Sequence, residues 1–132
     1  MIKNLRTHTT LPAANLERAK KFYAEKLGLT PATEGEGGIF YGLAGGTRFI
    51  LYPTRNPTRA GHTQIGFATN DIEAEVDELS SRGVEFEEYD FPGLKTQNGI
   101  ATTGEARAAW FKDSEGNMIG IVQLPPGAEP GT

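Results

Sequence analysis

The feature that most constrains the fold of this 132-residue chain is a repeat with an offset of 56 positions. Asn15 and Asp71, which are 56 positions apart, both belong to the residue types that cap the start of a helix. Apolar residues follow each of them at helical spacing, and Gly28 and Gly83 stand where the two helices should end. The pattern predicts two helices at equivalent positions in two similar halves of the chain.

Short runs of apolar and β-branched residues, bounded by turn residues, predict the strands around these helices. The predicted strands cover residues 5–11, 39–41 and 48–52 in the first half and 63–68, 84–87, 108–111 and 118–122 in the second. Each half therefore has a strand, a helix and about three further strands. One such unit leaves a sheet face that must be covered, so two units should pack into one body. The sequence predicts an α+β fold of two βαβββ modules in a single domain over residues 1–124.

Proline and glycine mark the boundaries of the two modules. Pro53, Pro57 and Gly61 predict a linker over residues 53–61, which leaves residues 1–53 for module one and 62–124 for module two. The last eight residues, PPGAEPGT, are too rich in proline and glycine to hold regular structure. We therefore expect a flexible tail over residues 125–132.

The composition excludes several classes of function. The chain has no cysteine, which rules out a disulfide scaffold, a thiolate metal site and a cysteine nucleophile. A net charge of −4 argues against general nucleic-acid binding, which needs a basic surface. There is no apolar run of the roughly 20 residues that a membrane span needs, and the first ten residues lack a signal-peptide core. We expect a cytoplasmic protein whose partner is a small molecule, with no nucleic acid and no membrane involved.

Two segments resemble a known family. Residues 15–28, NLERAKKFYAEKLG, are similar to the first-helix signature of the vicinal oxygen chelate superfamily, which includes glyoxalase I, bleomycin resistance proteins and extradiol dioxygenases. Residues 112–117, KDSEGN, resemble the turn before the last strand of that family, with Ser114 in place of the common proline. The resemblance implies two modules that form an incomplete barrel around a pocket, commonly in a homodimer.

The metal enzymes of this family take their ligands from four strand positions. By the resemblance, these positions fall on His8, Ile50, Gln64 and Gly120. Only His8 and Gln64 offer a donor atom there, with His62 as a further weak candidate, whereas catalytic zinc normally has about three protein ligands. Two neutral donors without a carboxylate bind divalent ions poorly. We therefore expect no metal cofactor, with His8, His62 and Gln64 as the weak candidates for metal binding.

The alternation of side chains along strands predicts the rest of the pocket. Arg48, Tyr52 and Met118 share the face that the four positions mark, and Phe40 lies on the preceding strand. Trp110 takes, by the resemblance, a position that lines the substrate pocket. The predicted ligand-binding residues are His8, Phe40, Arg48, Ile50, Tyr52, Gln64, Trp110, Met118 and Gly120. We expect the missing side chain at position 120 to widen the pocket, and we expect the long segment 90–105 to form a mobile cover over it.

Three functions are compatible with these residues. The first is metal-independent binding of a small molecule, such as sequestration of an antibiotic. The second is a metal-dependent lyase, isomerase or dioxygenase, which would need ligands besides His8. The third is a metal-free enzyme in which His8 or Tyr52 acts as an acid or base.

Overall fold

The computed structural model describes residues 1–55 and 61–125. This part of the chain forms two α-helices, ten β-strands and short 3-10 turns at Ile2–Asn4 and Ala44–Gly46. The helices are α1 (Leu16–Glu25) and α2 (Ile72–Ser81). The strands are β1 (Thr9–Ala13), β2 (Thr33–Gly35), β3 (Gly38–Gly42), β4 (Arg48–Pro53), β5 (Ile65–Ala68), β6 (Asp90–Phe91), β7 (Leu94–Gln97), β8 (Ile100–Thr103), β9 (Ala106–Lys112) and β10 (Met118–Gln123).

The strands form two sheets, one from each half of the chain. The first sheet has the order β1-β4-β3-β2, and the second has the order β5-β10-β9-β8-β7-β6. In both sheets the strand before the helix pairs in parallel with the last strand of its half, and the other pairs are antiparallel. In each half, the chain that runs between the two parallel strands includes a helix, which is the usual crossover for parallel pairing. The predicted mixed α+β architecture with two helices is confirmed.

The two helices begin and end as the sequence predicts. The side chain of Asn15 accepts a hydrogen bond from the backbone N–H of Arg18, and the side chain of Asp71 accepts one from Ala74. Past the other ends, Gly28 and Gly83 adopt φ values of 70° and 92°, which favour glycine. The caps satisfy backbone groups that would otherwise lack partners, so they fix the helix boundaries.

The hydrophobic core is continuous between the two halves. Each helix lies on one face of its sheet, and the buried side chains of both helix-covered faces belong to one cluster. The rings of Tyr23, Tyr41 and Phe49 lie within 5.7 Å of one another, centroid to centroid. Phe49 also makes an edge-to-face contact with Phe67 of the second sheet at 6.4 Å. Among residues 1–55 and 61–125, no helix packs against the opposite face of either sheet.

A turn of the second half is bound to the first half. Asp113 is buried, and its carboxylate accepts hydrogen bonds from the hydroxyl of Tyr23 and from the backbone N–H groups of Glu115 and Asn117. The side-chain amide of Asn117 donates both to this carboxylate and to the backbone oxygen of Pro12. The residues that resemble the family signature therefore join the two sheets through hydrogen bonds.

Some predicted strands differ in the structure. The predicted strand 5–11 begins only at Thr9, where parallel pairing with Phe49 begins, so His8 precedes the strand. The predicted strand 84–87 is reduced to a single bridge between Phe86 and Phe111, with a hydrogen bond from Glu87 N to Trp110 O. Residues 84–87 reach only the end of β9, because β8 pairs with residues 106–108 of that strand.

Residues 90–105 supply the strand β8, which pairs with β9. The sequence predicts a mobile cover there, whereas the segment contains β6, β7 and β8. Gly93, Asn98 and Gly99 have positive φ values and form the turns between these strands. The segment thus extends the second sheet and is not a separate cover.

The linker and tail predictions fall mostly outside the described residues. Pro53 ends β4, and residues 56–60 and 126–132 are not described. Within the described residues, neither helix reaches the length and apolar character that crossing a bilayer would take.

Candidate ligand-binding site

Four predicted site residues lie together on the open face of the first sheet. Phe40 and Ile50 are directly paired in the register of β3 and β4, and Arg48 and Tyr52 flank Ile50 on the same face. Phe40 and Tyr52 keep 37% and 36% of their surface exposed, whereas Ile50 is buried. This face therefore offers two accessible rings and an exposed guanidinium group.

Three more predicted residues lie on the open face of the second sheet. Gly120 of β10 pairs with Trp110 of β9 on one side and with Gly66 of β5 on the other. Met118 lies two residues before Gly120 and is buried. Paired residues of neighbouring strands project to the same face, so Trp110, Gly120 and Gly66 form one row across the sheet.

The indole of Trp110 occupies the space above Gly120. Its Nε1 donates a hydrogen bond of 3.0 Å to Oγ1 of Thr63. A Cβ atom at position 120 would lie 3.2 Å from Cγ2 of Thr63 and 3.5 Å from Cδ1 and Nε1 of Trp110. The expectation that the glycine widens the pocket is therefore wrong, because the edge of the indole and the Thr63 methyl group use that space.

Two aromatic residues that the sequence analysis did not select lie beside Trp110. The ring of Tyr89 makes an edge-to-face contact with Trp110 at 5.8 Å, and Phe91 makes one with Tyr89 at 5.9 Å. Phe91 is 53% exposed. Burial and the nearby charge of Glu87 raise the pKa of Tyr89, so its phenol stays neutral at physiological pH. The alternation of these rings with acidic residues over 85–91 is the signal that could have identified them.

Of the other polar candidates, the two histidines are exposed, whereas the Gln64 side chain is hydrogen-bonded within the protein. His8 is exposed ahead of β1 and makes no hydrogen bond to any residue that the structure describes, and His62 is exposed as well. The amide of Gln64 is already engaged, since it donates to Oδ1 of Asn117 at 3.0 Å and accepts from the N–H of Met118 at 3.1 Å. Gln64 thus holds the turn before β10 in place.

The candidates form two separate groups. Within residues 1–55 and 61–125, no hydrogen bond, ion pair or aromatic contact joins the group on the first sheet to the group on the second. Two surface clefts, of about 360 Å³ and 250 Å³, lie elsewhere, and none of the predicted site residues lines them. The first is lined by Phe22, Lys112 and residues 83–87, and the second by residues of α2, β8 and the turn after β7 together with Arg107.

The comparison with protein families identifies the class of this fold. The model of the glyoxalase/bleomycin resistance protein/dioxygenase superfamily matches residues 6–121. The chain belongs to this superfamily. No functionally curated protein is similar enough in sequence to match the chain.

Solved structures agree with this assignment of the fold. A glyoxalase/bleomycin resistance protein from Catenulispora acidiphila DSM 44928 superposes with a TM-score of 0.64 at 21% identity, over 92% of this chain and 99% of that chain. A glyoxalase family protein from Enterococcus faecalis gives 0.64 at 20% identity, over 92% and 99%. TnmS3, an antibiotic binding protein from Streptomyces sp. CB03234, gives 0.60 at 24% identity, over 91% and 98%. At these identities the likeness is one of fold.

The metal that many enzymes of this superfamily use does not fit the residues of this chain. Among the described residues, no group of three or more His, Asp or Glu side chains is placed to hold an ion. At the four strand positions, Gly120 and Ile50 provide no donor, Gln64 is engaged, and His8 stands alone. We therefore assign no step to a metal ion.

Proposed function

We propose that this protein binds a small organic molecule without a metal ion, and that its role is to sequester a compound such as an antibiotic. The observation that carries the proposal is the position of Trp110, whose indole covers Gly120. In the resemblance to the family, this is the position of a metal-binding carboxylate. An apolar ring stands there instead, which favours stacking over coordination.

Sequestration needs affinity and no chemical step. Accessible rings and a few polar groups are the usual components of a small-molecule site. The open faces supply them as Trp110, Tyr89 and Phe91 on one sheet and Tyr52 with Arg48 on the other. TnmS3, whose fold is similar, is itself an antibiotic binding protein, which is consistent with this role.

A homodimer in the cytoplasm is part of the proposal. Phe40, Tyr52 and Phe91 leave large apolar surface exposed on the faces without helices. Exposed aromatic side chains of this kind are commonly found at interaction sites. Sedimentation equilibrium should give twice the chain mass of 14.2 kDa, and a monomer at micromolar concentration would contradict this part.

Acid–base catalysis by His8 or Tyr52 lacks support. A general base works through hydrogen bonds that orient it towards the substrate. Neither side chain has such a partner among the residues that the structure describes. We therefore do not propose an enzymatic reaction.

The test is a calorimetric titration of chelator-treated protein with a panel of aromatic antibiotics, metal-free bleomycin among them. Each titration is repeated after addition of Zn²⁺ and after addition of Mn²⁺. We expect at least one compound to bind in the presence of chelator, with an affinity that the ions leave unchanged. Binding that develops only after an ion is supplied would contradict the proposal.

A further inference from the structure

The indole of Trp110 is held from three directions. Thr63 accepts the hydrogen bond from Nε1 at 3.0 Å. Tyr89 contacts the ring system edge-to-face at 5.8 Å. The backbone of Gly120 lies beneath the edge of the pyrrole ring, close enough that an added Cβ would be 3.5 Å from Cδ1 and Nε1. A partly exposed tryptophan with three such contacts has its orientation fixed before any ligand arrives.

Tyr89 is itself fixed by backbone hydrogen bonds. Its N–H donates to Oγ1 of Thr96 at 2.8 Å, and its backbone oxygen accepts from the N–H of Thr96 at 2.9 Å. Thr96 lies in β7 of the second sheet and is buried. The backbone that carries the Tyr89 ring is therefore attached to the second sheet through Thr96, which belongs to the segment 90–103.

Several small residues lie beside the indole on this face of the second sheet. Gly66 lies in the same row as Trp110 and Gly120, and an added Cβ there would meet no atom within 4 Å. In the next row across the strands, Ala68 and Ala108 flank Val122. The backbone of β5 is thus exposed at Gly66 and Ala68, in the rows beside the indole.

We propose that Thr63 and Gly120 are positioning residues that fix Trp110 as a stacking wall, and that the site consequently takes flat, unsaturated ring systems. This inference rests on the proposed function and names its ligand class. Thr63 sets the direction of the indole through Nε1, and Gly120 leaves the room that this direction requires. A flat unsaturated ring can stack on the indole over its whole face and extend over Gly66, whereas a globular saturated body touches the indole with only a few atoms.

The first test needs no ligand. Because Trp110 is the only tryptophan, its emission under selective excitation and the circular dichroism at wavelengths beyond tyrosine absorption report on this side chain alone. Thr63→Val removes the acceptor and keeps the shape, Thr63→Ser keeps the acceptor, and Thr102→Val makes the same change on the opposite, helix-covered side of the sheet. We expect Thr63→Val to weaken the indole dichroism and to increase quenching by acrylamide, while Thr63→Ser and Thr102→Val resemble the wild type. Wild-type spectra for Thr63→Val would overturn the positioning role.

The second test addresses the ligand class. Naphthalene-2-carboxylate and adamantane-1-carboxylate have the same charge and similar apolar bulk, and only the first is flat. In chelator, we expect the flat probe to bind roughly tenfold more tightly, in line with the strength of ring stacking in proteins. Thr63→Val should reduce this preference to about threefold or less. Equal affinity of the two probes for the wild type, or binding of neither, would overturn the ligand class.

The two tests separate this inference from the proposed function. A requirement of an ion for every ligand would defeat the proposed function, while the spectra of the ligand-free variants would still report whether Thr63 positions Trp110. Conversely, ion-independent binding with no preference for flat probes would leave the proposed function standing and overturn the inference.

Discussion

The hydroxyl of Tyr23 in α1 donates a 2.6 Å hydrogen bond to the carboxylate of Asp113, which lies 90 residues further along the chain. Both residues are buried, and the bond links the helix of the first half to the turn of the second. Burial and the charge of Asp113 raise the pKa of Tyr23 well above its ordinary value, so the phenol keeps its proton. The contact is therefore a permanent link between the two modules.

Replacing Tyr23 by phenylalanine should destabilise the protein. Removal of a hydrogen bond to a charged group costs about 1.5–3 kcal/mol, and we expect a loss of this size in the free energy of unfolding. Tyr41 provides the matched control, since its ring lies 5.7 Å from that of Tyr23 and its buried hydroxyl has no hydrogen-bond partner among the described residues. Tyr41→Phe should leave stability unchanged or raise it slightly. Urea denaturation of both variants measures the difference, and equal losses would contradict the assigned role of Asp113.

Glu115 should make stability depend on acid pH. Burial alone would raise the pKa of this carboxyl, but hydrogen bonds from the side chain of Arg18, the N–H of Asn15 and the hydroxyl of Ser114 lower it below its ordinary value of 4.5. A carboxyl whose pKa is lower in the folded state contributes stability above its unfolded pKa. This contribution is constant at neutral pH and is lost as the pH falls through the folded pKa, so the dependence of stability on pH is confined to values below about 5.

The variant Glu115→Gln isolates this contribution. At pH 7 it should be less stable than the wild type, and the difference should shrink as the pH falls towards 3. Glu34→Gln is the control, because Glu34 pairs with Lys20 at the surface, where the side chains of Lys20 and Glu34 are 38% and 48% exposed. Unfolding curves at several pH values measure both differences. A constant gap between wild type and Glu115→Gln across this range would contradict the assignment.

Gly38 and Gly42, at the two ends of β3, should respond oppositely to substitution by alanine. Gly38 has a φ of 138°, and a Cβ there would collide with the backbone oxygen of Leu51. Strained backbone of this kind costs roughly 1–3 kcal/mol before the collision is counted, so Gly38→Ala should lose at least this much. A Cβ at Gly42 would meet nothing within 4 Å, and Gly42→Ala should change stability by less than about 0.5 kcal/mol. Thermal unfolding compares the pair, and similar melting temperatures would contradict the geometry of β3.

Local patterns predicted the parts of the fold that depend on neighbouring residues. The caps at Asn15 and Asp71 and the terminal glycines give both helices correctly, because capping acts within one turn. The strands of residues 90–103 do not follow from local patterns, because β8 pairs with β9, β7 with β8 and β6 with β7. Tertiary pairing of this kind routinely overrides weak local preference.

The sequence indicates which face of a strand a site residue lies on better than it indicates which atoms that residue contacts. Strand alternation predicts Arg48, Ile50 and Tyr52 on one face, as the structure has them, and the pairing of β3 with β4 adds Phe40. Alternation does not predict that the Gln64 amide binds the Asn117 side chain, 53 positions away. It also does not predict that the Trp110 indole lies over Gly120. Both depend on side-chain conformations that the packed neighbours select.

The most direct measurement of metal-free binding is the emission of Trp110 during titration with metal-free bleomycin in excess chelator, corrected for absorption by the ligand. The account predicts a saturable change in emission that is the same after Zn²⁺ replaces the chelator, and Trp110→Phe should weaken the affinity measured in parallel by calorimetry. Emission that responds only once the ion is present would contradict it.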